Sequence, residues 1–159
     1  MRVLVGGVGY RFLRDGSLGP LLIERLEAEG APANGIELED LSYGPVALSH
    51  NLRDRPPYDR LVLIAAVQRG RPLGTVHTYR WDGVLPDAKE IQERVGEAVT
   101  GVISLDNLLI VCTALGGMPD DVRVIEFESV DEDWGEGFSP ELEARMSEIV
   151  EAVWSSTAP

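Results

Sequence analysis

One stretch limits the fold of this chain more than any other: Leu61-Val62-Leu63-Ile64-Ala65-Ala66 is apolar without a break. A strand with one wet face alternates polar and apolar side chains, so this run predicts a strand covered on both faces. Such a strand needs helices above and below it, and the flanking sequence has the pattern for them. Val3 to Val5, Ile36 to Leu41, Val76 to Trp81 and Val122 to Val130 read as further strands. Apolar residues recur at helical spacing from about Ser17 to Glu29, Asp87 to Val99 and Ser104 to Leu115, and again from Ser139 onward. The last helix has the clearest start, with Ser139 as cap and Pro140 at its first position. A shorter helix is expected around His50, and Arg53 to Asp59 reads as a loop. Strands alternating with helices predict a three-layer α/β fold with a twisted, mostly parallel central sheet of about five strands flanked by helices.

At 159 residues the chain suits one domain, residues 1–159, with one sizeable core. Its formal net charge is −13, which repels phosphate backbones and anionic bilayers, so neither a nucleic-acid nor a membrane partner is expected. No stretch has the roughly 20 apolar residues of a membrane span, and the opening apolar run is too short for a secretory leader, so a cytoplasmic location is expected. The one cysteine, Cys112, lies in an apolar run and reads as a small buried hydrophobe; it excludes an internal disulfide and a thiolate zinc cluster.

Gly6-Gly7-Val8-Gly9 follows the first strand and invites comparison with G-x-G-x-x-G. Counted from Gly7, the third glycine falls on Phe12, and no helix starts at once, so a dinucleotide site is not supported. The turn still lies at the carboxyl end of a strand, where α/β sheets place their sites. Asp15 stands just before the first helix and Asp40 ends the second strand, which makes them candidates for one cleft. Capping is the competing role for Asp15. His50 and His77 belong to no close ligand spacing and read as surface or partly packed side chains. No G-x-S-x-G elbow is present. Trp81, Trp134 and Trp154 read as packing residues. Ten carboxylates between Asp120 and Glu143 lack the regular spacing of a calcium loop and read as a solvated acidic face.

Several segments, in order along nearly the whole chain, resemble the hydrogenase maturation proteases, endopeptidases that remove a C-terminal peptide from the large subunit of nickel-iron hydrogenases. They are Val3-Leu4-Val5-Gly6-Gly7-Val8-Gly9-Tyr10, Leu13-Arg14-Asp15-Gly16-Ser17-Leu18-Gly19, Asp40 with Gly44, and Tyr58-Asp59-Arg60-Leu61-Val62-Leu63. Leu73-Gly74-Thr75-Val76, Leu115-Gly116-Gly117-Met118-Pro119, and Glu126 and Glu128 ahead of Gly135-Glu136-Gly137-Phe138-Ser139-Pro140 complete the set. The resemblance implies a phosphorylase/hydrolase-like α/β fold and a metal held by three side chains. These are an acid before the first helix, an aspartate ending the third strand, and a histidine ahead of the long second-half helix. In this sequence those positions fall at Gly16, Ala65 and the Thr100 to Ser104 segment around Gly101, and the usual asparagine after the first glycines is Tyr10. Neither glycine nor alanine offers a donor atom, so no nickel site and no cofactor is expected. Two readings follow. One is a catalytically degenerate relative acting as a binding or accessory protein, with a hydrogenase large-subunit precursor or another protein as partner. The other is an active endopeptidase with a re-sited centre built on Asp15 and Asp40, with His50 or His77 brought near.

Overall fold

The computed structural model describes residues 1–159. Five strands, β1 (Val3–Gly7), β2 (Ile36–Asp40), β3 (Arg60–Val67), β4 (Val76–Arg80) and β5 (Asp121–Glu128), form one sheet in the order β2-β1-β3-β5-β4. All neighbours run parallel except β4, which pairs antiparallel with β5 at the edge. The helices are α1 (Leu18–Ala28), α2 (Pro45–Asp54), α3 (Ala88–Val99), α4 (Leu105–Leu115) and α5 (Pro140–Thr157), and a single 3-10 turn, Arg14–Ser17, precedes α1. The expected α/β architecture is therefore present. The expected loop at Arg53 begins two residues later, because α2 continues through Asp54.

The unbroken run Leu61 to Ala65 is buried in β3, between β1 and β5. Its side chains divide by parity, as the pleat requires. Leu61, Leu63 and Ala65 join one core with α2 and α4, among them Leu48, Leu52, Leu108 and Cys112. Val62 and Ile64 join a second core with α1 and α5, among them Leu22, Ile23, Ile149 and Val153. Each buried aliphatic side chain contributes about 1.5–3 kcal/mol of transfer free energy, so these two cores are the main source of stability. Helix α3 has no buried residue and packs on the outside of α4. Cys112 is wholly buried in the α2/α4 core; burial pushes its thiol up to about 12, so it stays protonated and unreactive.

Helix starts follow the capping chemistry read from sequence. Ser104 accepts from the Asn107 N–H at 3.1 Å, and Ser139 accepts from the Leu142 N–H at 3.2 Å. The glycine-rich turn has a packing role. A methyl on Gly7 would overlap the backbone of Gly19, and one on Gly19 would overlap the backbone of Val8. These two glycines let α1 lie directly against the end of β1, which sets the position of everything between them.

Candidate functional site

The chain leaves β1 for β2 on one side and returns to β3 on the other, so the sheet has its switch point between β1 and β3. A crevice opens there in α/β sheets because the two connections diverge. In this protein it is a cleft of about 230 Å³, with Val8 and Gly9 after β1, Ala65 to Arg69 at the end of β3, and Ser104 to Asp106 at the start of α4. Gly16 and Glu132 close the remaining side.

The positions to which the resemblance assigns metal ligands converge on this cleft. Gly16 and Ala65 line it, and from the Thr100 to Ser104 segment Ile103 and Ser104 do so while Gly101 does not. Their chemistry does not fit a metal. Gly16 has no side chain, Ala65 ends in a methyl, and the Ser104 hydroxyl is committed to capping α4. No group of three or more histidine, cysteine, aspartate or glutamate side chains in the protein is placed to hold an ion. The space beside Gly16 belongs instead to Glu132: a Cβ built on Gly16 would lie 3.5 Å from Glu132 Oε1. Burial pushes the Glu132 carboxyl up, and the Asp15 and Glu128 carboxylates add to the shift. A carboxyl with a raised pKa holds its proton to higher pH and so competes less well for a cation.

Arg69 and Asp106 on the lining belong to an ionic knot that extends behind the cleft. Glu126 is fully buried and accepts from Arg69 Nε and Nη2 at 2.9 Å each, from Arg71 Nη1 at 2.6 Å and from the Tyr79 hydroxyl at 2.6 Å. Arg69 also donates to both Asp106 oxygens, at 2.8 and 3.2 Å, and its backbone N–H donates to Glu128 Oε2 at 2.8 Å. Burial works against the charged Glu126, but the Arg69, Tyr79 and Arg71 hydrogen bonds outweigh it and hold the carboxyl below its usual range. Burial and Glu126 together push the Tyr79 hydroxyl up, so it remains a donor. The acidic run is thus only partly a solvated face: Glu126 and Glu128 are buried because their strand carries them into the sheet.

Asp15 and Asp40 do not share a cleft. Asp15 is wholly buried, and its carboxylate accepts from the backbone N–H groups of Val130, Asp131 and Ser139 at 3.0, 3.2 and 2.8 Å, and from the Ser139 hydroxyl at 2.8 Å. It caps no helix directly. It pins the loop before α5 to the 3-10 turn, and Ser139 relays the contact into the first turn of α5. Asp40 is part-exposed and lies in a separate shallow groove, accepting from the Ser42 N–H at 3.0 Å and pairing with Arg11 at 3.5 Å. Gly9, Tyr10 and Ile103 line both hollows, so Tyr10 stands between them. Its hydroxyl accepts from the Ile103 N–H at 2.6 Å and donates to the Gly101 carbonyl at 3.4 Å, strapping the first loop to the segment ahead of α4.

Neither histidine reaches either hollow. His50 is exposed on α2 beside Arg53, with Nδ1 3.2 Å from Arg53 Nη2. His77 is half-buried in β4, with Nε2 3.2 Å from the Thr75 hydroxyl. A centre that combined Asp15, Asp40 and a histidine is therefore not assembled by this fold. Of the tryptophans, Trp81 and Trp154 pack against the two cores as expected, whereas Trp134 is 78% exposed. The parts that sequence reasoning missed are Arg69, Glu132 and the Trp134 loop. Only the last had a signal, a tryptophan among Asp131, Asp133 and Glu136, followed by Gly135 and Gly137, with no apolar stripe to join.

No protein-family profile and no curated protein sequence matches the chain. Solved structures do. The hydrogenase maturating endopeptidase HybD from E. coli is 24% identical with a TM-score of 0.72, over 98% of this chain and 91% of that one. The hydrogenase 2 maturation peptidase from Thaumarchaeota archaeon SCGC_AB-539-E09 is 21% identical with a TM-score of 0.67, over 98% and 97%. The [NiFe] hydrogenase maturation protease HybD from Thermococcus kodakarensis is 20% identical with a TM-score of 0.60, over 99% and 100%. These likenesses establish a shared fold along essentially the whole chain.

Proposed function

We propose that this chain, which has the fold of the hydrogenase maturation endopeptidases, is a degenerate relative of them that binds a protein partner without cutting it. The partner this reading favours is a nickel-iron hydrogenase large-subunit precursor. The observation that carries it is the cleft at the switch point, where Gly16, Ala65 and Ser104 meet with no set of donor atoms between them. A peptidase acting through a bound metal needs imidazole or carboxylate ligands at fixed geometry, and these three residues supply neither. The loops around these positions are braced. Asp15 fixes the loop before α5, and Tyr10 joins the first loop to the segment ahead of α4. A braced cleft without donor atoms for a metal suits binding better than hydrolysis.

The test is co-expression with a large-subunit precursor carrying its C-terminal extension. The expected result is a complex isolated with the extension intact, with and without nickel in the medium. Nickel-dependent removal of the extension by the purified protein would overturn the reading. No helix is long and apolar enough to cross a membrane.

A further inference from the structure

Above the cleft, two loops meet and present an aromatic pair to water. Phe12 is 47% exposed and Trp134 78% exposed, and their ring centroids lie 5.8 Å apart at an interplanar angle of 34°. The loops are fastened to each other through the backbone: the Gly135 N–H donates to the Phe12 carbonyl at 2.7 Å, and the Arg14 N–H donates to the Gly135 carbonyl at 3.2 Å. The Asp15 carboxylate anchors the same two segments from below. The aromatic pair is therefore a preformed apolar surface on a braced support, and folding gains little from its exposure.

The charge around it selects the occupant. Asp133 and Glu136 flank Trp134, are exposed, and take part in no ion pair. The two nearby cations are already used: Arg14 pairs with Asp131 at 3.5 Å, and Arg11 pairs with Glu24 at 2.6 Å and Asp40 at 3.5 Å. The free charge at the aromatic pair is negative, which disfavours phosphate groups and anionic lipid and favours a cation seated on an aromatic face.

We propose that the Phe12–Trp134 pair is a docking platform for a peptide segment in which an arginine or lysine stands next to an apolar side chain. The cation lies over the Trp134 ring between Asp133 and Glu136, and the apolar neighbour packs on Phe12. This rests on the reading above only in that the occupant is a polypeptide.

The experiment is fluorescence anisotropy with a labelled, end-capped octapeptide of alternating leucine and arginine. Two control peptides replace arginine by glutamate or leucine by glycine. Saturable binding is expected for the first peptide, and binding about tenfold or more weaker for each control and for Trp134→Ala. Phe12→Gly, which also relieves a left-handed backbone, gives a second variant that keeps the fold. Unchanged peptide binding in folded Trp134→Ala overturns the platform. So does concentration-dependent dimerisation that this substitution abolishes, since the occupant is then a second copy. Peptide binding lost in Trp134→Ala together with no capture of a hydrogenase precursor supports the platform and ends the hydrogenase reading. Precursor capture together with peptide binding that survives the substitution does the reverse.

Discussion

The two walls of the cleft each hold a carboxylate out of water and treat it in opposite ways. Behind one wall, in contact with the lining residue Arg69, Glu126 is wholly buried, yet it is ionised, because two arginines and a tyrosine donate to it. On the other, Glu132 is only partly buried, yet burial pushes its carboxyl up, the Asp15 and Glu128 carboxylates add to the shift, and no cation pairs with it. Depth alone does not decide the charge state of a buried acid; the donors around it do. The comparison also explains why the cleft is a weak place for chemistry. Every strong cation in it is already neutralised, Arg69 by Glu126 and Asp106, and its one unpaired acid is poorly suited to bind an ion.

The largest effect is expected on the paired wall. Glu126→Ala leaves Arg69 and Arg71 without their shared carboxylate and the Tyr79 hydroxyl without its acceptor. Breaking a buried ion pair by removing one partner costs about 3–5 kcal/mol, which chemical denaturation will read directly. Next comes the support beneath the other wall. Asp15→Ala orphans three backbone N–H groups and the Ser139 hydroxyl at once, and a loss of about 3 kcal/mol is expected. If Asp15 were instead a cleft acid, its removal would leave stability almost unchanged.

The pH dependence separates the walls by sign. Glu126 has a lowered folded-state pKa, so its stabilising contribution is present above the ordinary glutamate value of 4.5 and is lost as pH falls through the folded value. Glu132 has a raised one, so its contribution is full below 4.5 and is lost as pH rises through the folded value. Glu132→Gln should therefore raise stability at pH 7 by under about 1 kcal/mol and leave it unchanged at low pH. Denaturation curves at pH 4 and pH 7 check both parts. The smallest effect belongs to the rim. Phe12 holds φ at 64°, a left-handed conformation that costs a non-glycine residue roughly 1–2 kcal/mol. Phe12→Gly should recover part of that, less the entropy glycine adds to the unfolded chain, for a net gain below about 1 kcal/mol in thermal unfolding.

The same contrast marks how far the sequence could be read. β3 was legible because an unbroken apolar run has one structural outcome, and α5 because Ser139-Pro140 is a strong start signal. Both depend on neighbours in the chain. The role of Asp15 was not legible, since the groups that donate to it lie 115 to 124 residues away. Nothing local distinguishes a cleft acid from a buried anchor. Glu132 was hidden for a related reason: it belongs to a polar run whose members look alike until the loop is pinned. Gly16, Ala65 and the Thr100 to Ser104 segment were readable one by one, but their meeting at a single cleft needed the fold.

Nickel titration calorimetry at neutral pH, on the wild type and on Gly16→Glu/Ala65→Asp/Ser104→His, tests the central claim most directly. The claim is that this cleft lacks the donor atoms to hold an ion and that three ligands placed on its lining would supply them. The wild type should show no stoichiometric nickel binding, and the folded triple variant should gain one ion per chain. One tightly bound nickel per wild-type chain, or a folded triple variant that gains none, would contradict it.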